Sequence, residues 1–206
     1  MMNREQALEL LNWAHDLNPG PWREHVLHAA RAAEAIAQKA GLDPERAWLS
    51  GVMHDIGRFE GVRGMHHIIA GYNLLMERGE PELARICMTH SFPGGDPMSY
   101  IGQWDVTDEE RAFVIDYISS CEFDDYDRLL QLCDALAMST GICLIEKRLV
   151  DVVVRYGVNP HLQGKWRATL GLQKYFEEKM GCGVYSLFDD AIGNTFGPDF
   201  VKPSSN

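Results

Sequence analysis

Apolar residues recur three and four positions apart along most of the chain, the spacing that gathers them on one face of a 3.6-residue helix. Leu8, Leu10, Leu11 and Trp13 predict a first helix over about 4–16, ended by the turn cluster Asn18-Pro19-Gly20-Pro21. Pro21 opens a second helix that runs to Gly41, since Pro suits a first turn and Gly a C-terminal stop. Asp43-Pro44 caps a third, expected to end at Gly57. A fourth is expected over 65–78, stopping at Gly79, and a fifth from Pro81 to His90. From Phe92 to Asp105 the pattern breaks into a loop rich in Pro and Gly, of a length that in compact domains usually serves a site. Thr107-x-x-Glu110 is a capping box for a sixth helix. Further helices are predicted at about 124–138, 142–156 and 161–180, the second weakened by β-branched residues over 150–156. The tail from Gly181 is predicted irregular to Lys202 and frayed beyond. The expectation is an all-α fold in one domain, residues 1–206.

Six polar residues fall on the apolar stripes. His25 shares its face with Ala29, Ala33, Ile36 and Ala40; His67 with Ala70, Gly71, Leu74 and Leu75. His90 follows Leu83, Ile86 and Cys87; Asp134 lies among Leu130, Ala137 and Met138; His54 and Asp55 follow Leu49, Val52 and Met53. Burying an unpartnered imidazole or carboxylate costs free energy. One such residue is ordinarily a hydrogen-bonded core group, but six, all His or Asp, are the nitrogen and oxygen donors of first-row metal sites. Four imidazoles and two carboxylates suffice for two divalent ions if one carboxylate bridges.

Composition narrows the rest. The chain has 206 residues, 46% hydrophobic, enough for one sizeable core. With 19 Lys and Arg against 30 Asp and Glu the net charge is −11, which argues against a nucleic-acid polymer or an anionic membrane as partner but not against a local basic pocket. No run approaches the roughly 20 apolar residues of a membrane span, and the first residues lack a secretory pattern. Cys87, Cys121, Cys133, Cys143 and Cys182 form no C-x-x-C pair and read as buried free thiols in a reducing cytoplasm.

The stretches Trp22-Arg-Glu-His25, Leu49-Ser-Gly-Val-Met-His54-Asp55-Ile56-Gly57-Arg58, His67-Ile-Ile-Ala-Gly71, Ile86-Cys-Met-Thr-His90 and Leu132-Cys-Asp134-Ala135 resemble the HD-domain superfamily of metal-dependent phosphohydrolases. The resemblance covers about residues 22–140, with helices and tail over 141–206 outside it. It implies an all-α HD-type bundle and a metal set of His25, His54, Asp55 and Asp134, extended by His67 and His90 as in two-metal branches, with Asp55 bridging. It further implies two divalent ions drawn from Fe, Mn, Mg, Ni or Zn. The expected reaction is attack of a metal-activated water on a nucleotide or other small phosphate ester. Asp55 and Arg58, the latter against phosphate, are the expected catalytic residues. The cyclic-dinucleotide branch carries a His-His pair where this chain has His90-Ser91. Di-iron oxygenases acting on small polar or phosphonate substrates use the same ligand order and remain an alternative, as does a non-catalytic module of the fold. Monomer and homodimer are both open.

Around that set, Arg63 and Arg23 are weaker phosphate candidates, and Lys147 and Arg148 read as a solvated face. Tyr100 and Trp104 either stack on a substrate ring or anchor their loop. His66 has a half-exposed face, His28 points to solvent, and His15 and His161 sit near helix ends. Asp124, Asp125 and Asp127 are helix-start acids.

Overall fold

Among the described residues, side-chain caps open four of the helices. The computed structural model describes residues 2–197. Helix α1 (Arg4–Leu17) starts in a reciprocal capping box: Asn3 accepts from the Gln6 amide and Gln6 from the Asn3 amide. Helix α2 (Trp22–Ala40) ends at Gly41, whose φ of 74° suits a residue without Cβ. Asp43 caps α3 (Pro44–Met53), Thr107 caps α6 (Asp108–Ser120) and Asp124 caps α7 (Asp125–Leu136). Helices α4 (His66–Glu77), α5 (Pro81–Thr89), α8 (Ile145–Tyr156), α9 (Leu162–Met180) and α10 (Ala191–Phe196) complete an all-α bundle among the described residues, as expected.

Helix α2 is the hub. Its buried Ala29, Ala30, Ala32, Ala33 and Ala37 carry almost no side-chain bulk, so neighbours come close. On α3, a Cβ at Gly51 would stand 2.3 Å from Ala30 Cα. One apolar cluster joins α2 to α7, α8 and α9; a second joins α1, α2, α3 and α5; a third lies between α4, α5 and α6.

Four segments differ from the sequence reading. Helix α3 ends at Met53 rather than Gly57, and a 3-10 turn spans Ile56–Glu60. The end of α7 and the start of α8 are displaced by a two-residue antiparallel hairpin, Ala137–Met138 against Gly141–Ile142. The loop after His90 contains short 3-10 turns at Pro93–Gly95 and Pro97–Ser99. The tail is not irregular: a 3-10 turn at Val184–Leu187 precedes α10, and polar side chains tie this segment down. The Ile142 amide donates to Asp190, Asn194 donates to the Ile142 carbonyl, and the Leu144 amide donates to Thr195. The expected fraying beyond Lys202 lies outside the described residues. Of the five free cysteines, Cys121 and Cys182 are half-buried rather than buried.

Gly57 is explained by close approach. A Cβ there would stand 1.9 Å from the His67 carbonyl oxygen and 2.4 Å from the Gly71 amide nitrogen. Backbone on both sides leaves nothing to yield. Gly57→Ala therefore destabilises the fold by about 3 kcal/mol, read as a lower urea midpoint. An unchanged midpoint would mean that the 56–60 turn does not lie against α4.

Candidate metal centre

His25 stands in the first turn of α2 and His67 in the first turn of α4; His54 and His90 cap the C-termini of α3 and α5. Asp55 is the residue at which the helix breaks, with φ −110° and ψ 15°. A continuous helix would splay neighbouring side chains by about 100°; the break turns both His54 and Asp55 inward. His25, His54, Asp55, His67 and His90 are all buried. Asp134, in the last turn of α7, is half-buried.

Each imidazole turns Nδ1 to a main-chain carbonyl: His25 to Ala137 at 3.2 Å, His54 to Gly51 at 2.7 Å, His90 to Cys87 at 2.9 Å, and His67 to Gly64. A carbonyl only accepts, so Nδ1 donates, and in the neutral ring Nε2 presents a lone pair. The Nε2 atoms of His25, His54 and His67, with Oδ1 of Asp55, are buried without a hydrogen bond among the described residues. Asp55 Oδ1 lies 3.0 Å from His67 Nε2, and Asp134 Oδ1 lies 3.0 Å from His25 Nε2. Lone pair against carboxylate is repulsive unless a cation joins them. Donors about 2.1 Å from one ion and at right angles stand about 3.0 Å apart, so the residues present fit a metal.

The donors fall into two overlapping groups. His25, His54 and Asp55 place ligand atoms within 4.8 Å of one another, and so do Asp55, His67 and His90. Asp55 belongs to both. Its Oδ1 faces His67 and, at 3.6 Å, His90; its Oδ2 lies 3.9 Å from His54. Asp134 stands outside both groups, against His25 and Arg148.

The sequence pattern of the HD domain matches residues 22–139, more than half of the chain. The chain belongs to the HD-domain family. No curated protein and no solved structure matches it. The family is mostly one of metal-dependent hydrolases, and the His/Asp groups of this HD domain are able to hold metal ions.

Electrostatics prepare the donors. Burial raises the Asp55 carboxyl, but the Arg58 guanidinium and His67 outweigh it and hold it well below the usual range. At Asp134 burial is likewise outweighed, by contact with His25 and the charge of Arg148. Burial lowers His25 and takes His90 down to about 3. Ionised carboxylates and neutral imidazoles are the forms a divalent ion needs.

The sign of the histidine shifts sets an acid sensitivity in the chelated, metal-free HD domain. The unfolded chain protonates these histidines below about 6.5, the folded His90 only near 3. Their contribution is whole above about pH 6.5 and is lost as pH falls through that window, by about 1.4 kcal/mol per pH unit for each histidine that stays neutral. Urea midpoints at pH 7.5 and pH 5 measure it; equal midpoints would mean that the folded imidazoles protonate freely.

Over the centre of the HD domain lies a pocket of about 920 Å³, mouth included. It reaches Asp55, His67, His90 and Asp134, and five cations line it: Arg58, Arg63, Arg148, Arg155 and Lys165. Arg58 Nε donates to Asp55 Oδ2 at 2.5 Å. The loop after His90 forms one wall through Pro93, Tyr100 and Ile101; α8 and α9, beyond the family match, form another through Leu149, Val152 and Trp166.

Some flanking readings need correction. Arg148 is not on a solvated face: it lines the pocket and pairs with Asp134 at 3.3 Å and Asp151 at 3.3 Å. Lys147 donates to the Asn194 and Thr195 carbonyls. Tyr100 lines the pocket while packing on Phe92 and Trp104, and Trp104 itself lies outside it beneath Arg111. His66 pairs with Glu60 at 2.6 Å. His28 is half-buried. Arg23 pairs with Glu24 away from the pocket. Arg148 and Lys165 were missed because the contacts that place them at the pocket, Arg148 with Asp134 and Lys165 with the Ser91 carbonyl, join separate segments that no local periodicity links.

Proposed function

We propose that this chain is a cytoplasmic two-metal phosphohydrolase acting on a small anionic phosphate ester, nucleotides among them. The observation that carries the reading is Asp55, shared by two donor groups at the floor of a pocket lined by cations. His25, His54, Asp55 and Asp134 would hold one ion, and Asp55, His67 and His90 the other. Two divalent ions bound there supply Lewis acidity and a water that loses its proton near neutral pH.

The chain's own residues do the remainder. Main-chain carbonyls fix Nδ1 as the donor of each ring and aim the four Nε2 atoms inward. Arg58 spends Nε on Asp55, which leaves its terminal N–H groups for a phosphoryl oxygen. Arg148, steadied by Asp134 and Asp151, adds positive charge on the other side. With a net charge of −11 the surface at large repels anions, and the cations of the pocket supply the local attraction, which suits a small substrate and not a nucleic-acid polymer.

Elemental analysis of protein purified without added metal tests this, followed by a phosphatase panel with Mn²⁺ or Mg²⁺. About two metals per chain and phosphate release with a redox-inert ion are expected. Near-zero metal that added divalent ions do not restore would overturn it. So would iron with oxygen consumption and no phosphate release, which selects the oxygenase instead.

A further inference from the structure

The pocket cations are not equivalent. Arg58 is paired with Asp55, Arg148 with Asp134 and Asp151, and Arg155 with Asp151 at 2.5 Å. Arg63 stands exposed at the rim, where water solvates it. Lys165 is different. It sits in the first turn of α9, half-buried on the pocket wall that Trp166 and Thr169 also line. Among the described residues no carboxylate lies within ion-pair reach of it. Its Nζ donates to the Ser91 carbonyl at 2.8 Å. An ammonium has three N–H groups, so two remain for the pocket.

Desolvating an unpaired charge is costly unless an anion compensates it. Burial lowers the Lys165 ammonium to about 8, which still leaves it charged at neutral pH. A neutral side chain of the same length would fill this wall without that cost. The position also differs from that of Arg58. Arg58 is fastened to a carboxylate of the metal centre, whereas Lys165 is fastened to main chain one residue past His90, on a helix outside the HD-domain match.

We propose that Lys165 receives a second anionic group of the substrate, a carboxylate or a further phosphoryl that is not itself hydrolysed. The substrate class is then a small phosphate ester with two acidic ends. This inference rests on the phosphohydrolase reading: one end is placed at the metal centre beside Arg58, the other on α9.

Calorimetry on the metal-loaded protein tests it with non-hydrolysable probes: ethylphosphonate, with one acidic end, against 3-phosphonopropionate and 4-phosphonobutyrate, with two. Wild type is expected to bind at least one two-ended probe about tenfold more tightly, the size of one charge-assisted hydrogen bond. Lys165→Met is expected to erase that preference and leave ethylphosphonate affinity unchanged. Lys165→Arg should restore part of it. The melting temperature of Lys165→Met should hold or rise, because a desolvated charge is gone; a purely structural lysine would lower it. A carboxylate preference that survives in Lys165→Met would overturn the proposal, as would equal weakening of all three probes or no preference in wild type. If none of the three binds wild type, the phosphohydrolase reading itself fails.

Discussion

Asp55→Asn is expected to lose both metals and nearly all hydrolysis while keeping its helices. Asp55 is the one residue common to the two donor groups, and an amide offers neither its charge nor two anionic oxygens. Metal content should fall from about two per chain to near zero. kcat/KM should fall at least about 10³-fold, since water activation and charge neutralisation go together. The fold should survive, because Arg58 keeps 24% of its side chain exposed and turns to solvent once its partner is neutral. Elemental analysis, phosphate release and far-UV circular dichroism report the three quantities. Activity within tenfold of wild type would remove Asp55 from the centre.

His67→Ala should divide the centre. His67 belongs only to the group with Asp55 and His90, and the group of His25, His54 and Asp55 does not contain it. One metal per chain should remain, with hydrolysis reduced about 10²-fold, comparable to the loss of one strong transition-state contact. His25→Ala should remove the other ion. If either variant loses both metals at once, the two groups are a single site, and the bridging role assigned to Asp55 is wrong.

Most of the centre was legible because its residues break a pattern. His25, His67 and His90 stand on stripes of Ala, Ile and Leu, where a polar residue is conspicuous, and His54-Asp55 closes an apolar run. Asp134 was legible as a type but not in its placement: it shares a face with Leu130, yet remains half-buried beside Arg148. That pairing links residues on two helices joined through a hairpin, and no periodicity encodes it. Gly57 was noticed as a helix stop, but the contact that requires it is with His67 and Gly71, visible only once α4 folds back. The tail escaped for a related reason. Its order comes from Asp190, Asn194 and Thr195 satisfying backbone groups of the hairpin and the residues just after it, rather than from an apolar repeat. Lys165 carries no local mark at all; its significance is that, among the described residues, no carboxylate stands within ion-pair reach of it.

The way the imidazoles are aimed bears on how freely this chain can vary. All four take their bearing from main-chain carbonyls, at Gly51, Gly64, Cys87 and Ala137. A carbonyl is offered by every amino acid, so substitution at Cys87 or Ala137 need not take away the acceptor that fixes the tautomer. Gly51 and Gly64 are the exceptions, because a Cβ would stand 2.3 Å from Ala30 Cα at the first and 2.2 Å from the Gln103 carbonyl oxygen at the second. Had carboxylate side chains held the rings, each would have been a further point at which one codon change could rotate a ligand. Instead the orientation is written into helix ends and turns, and neighbouring side chains are left free to drift toward other substrates.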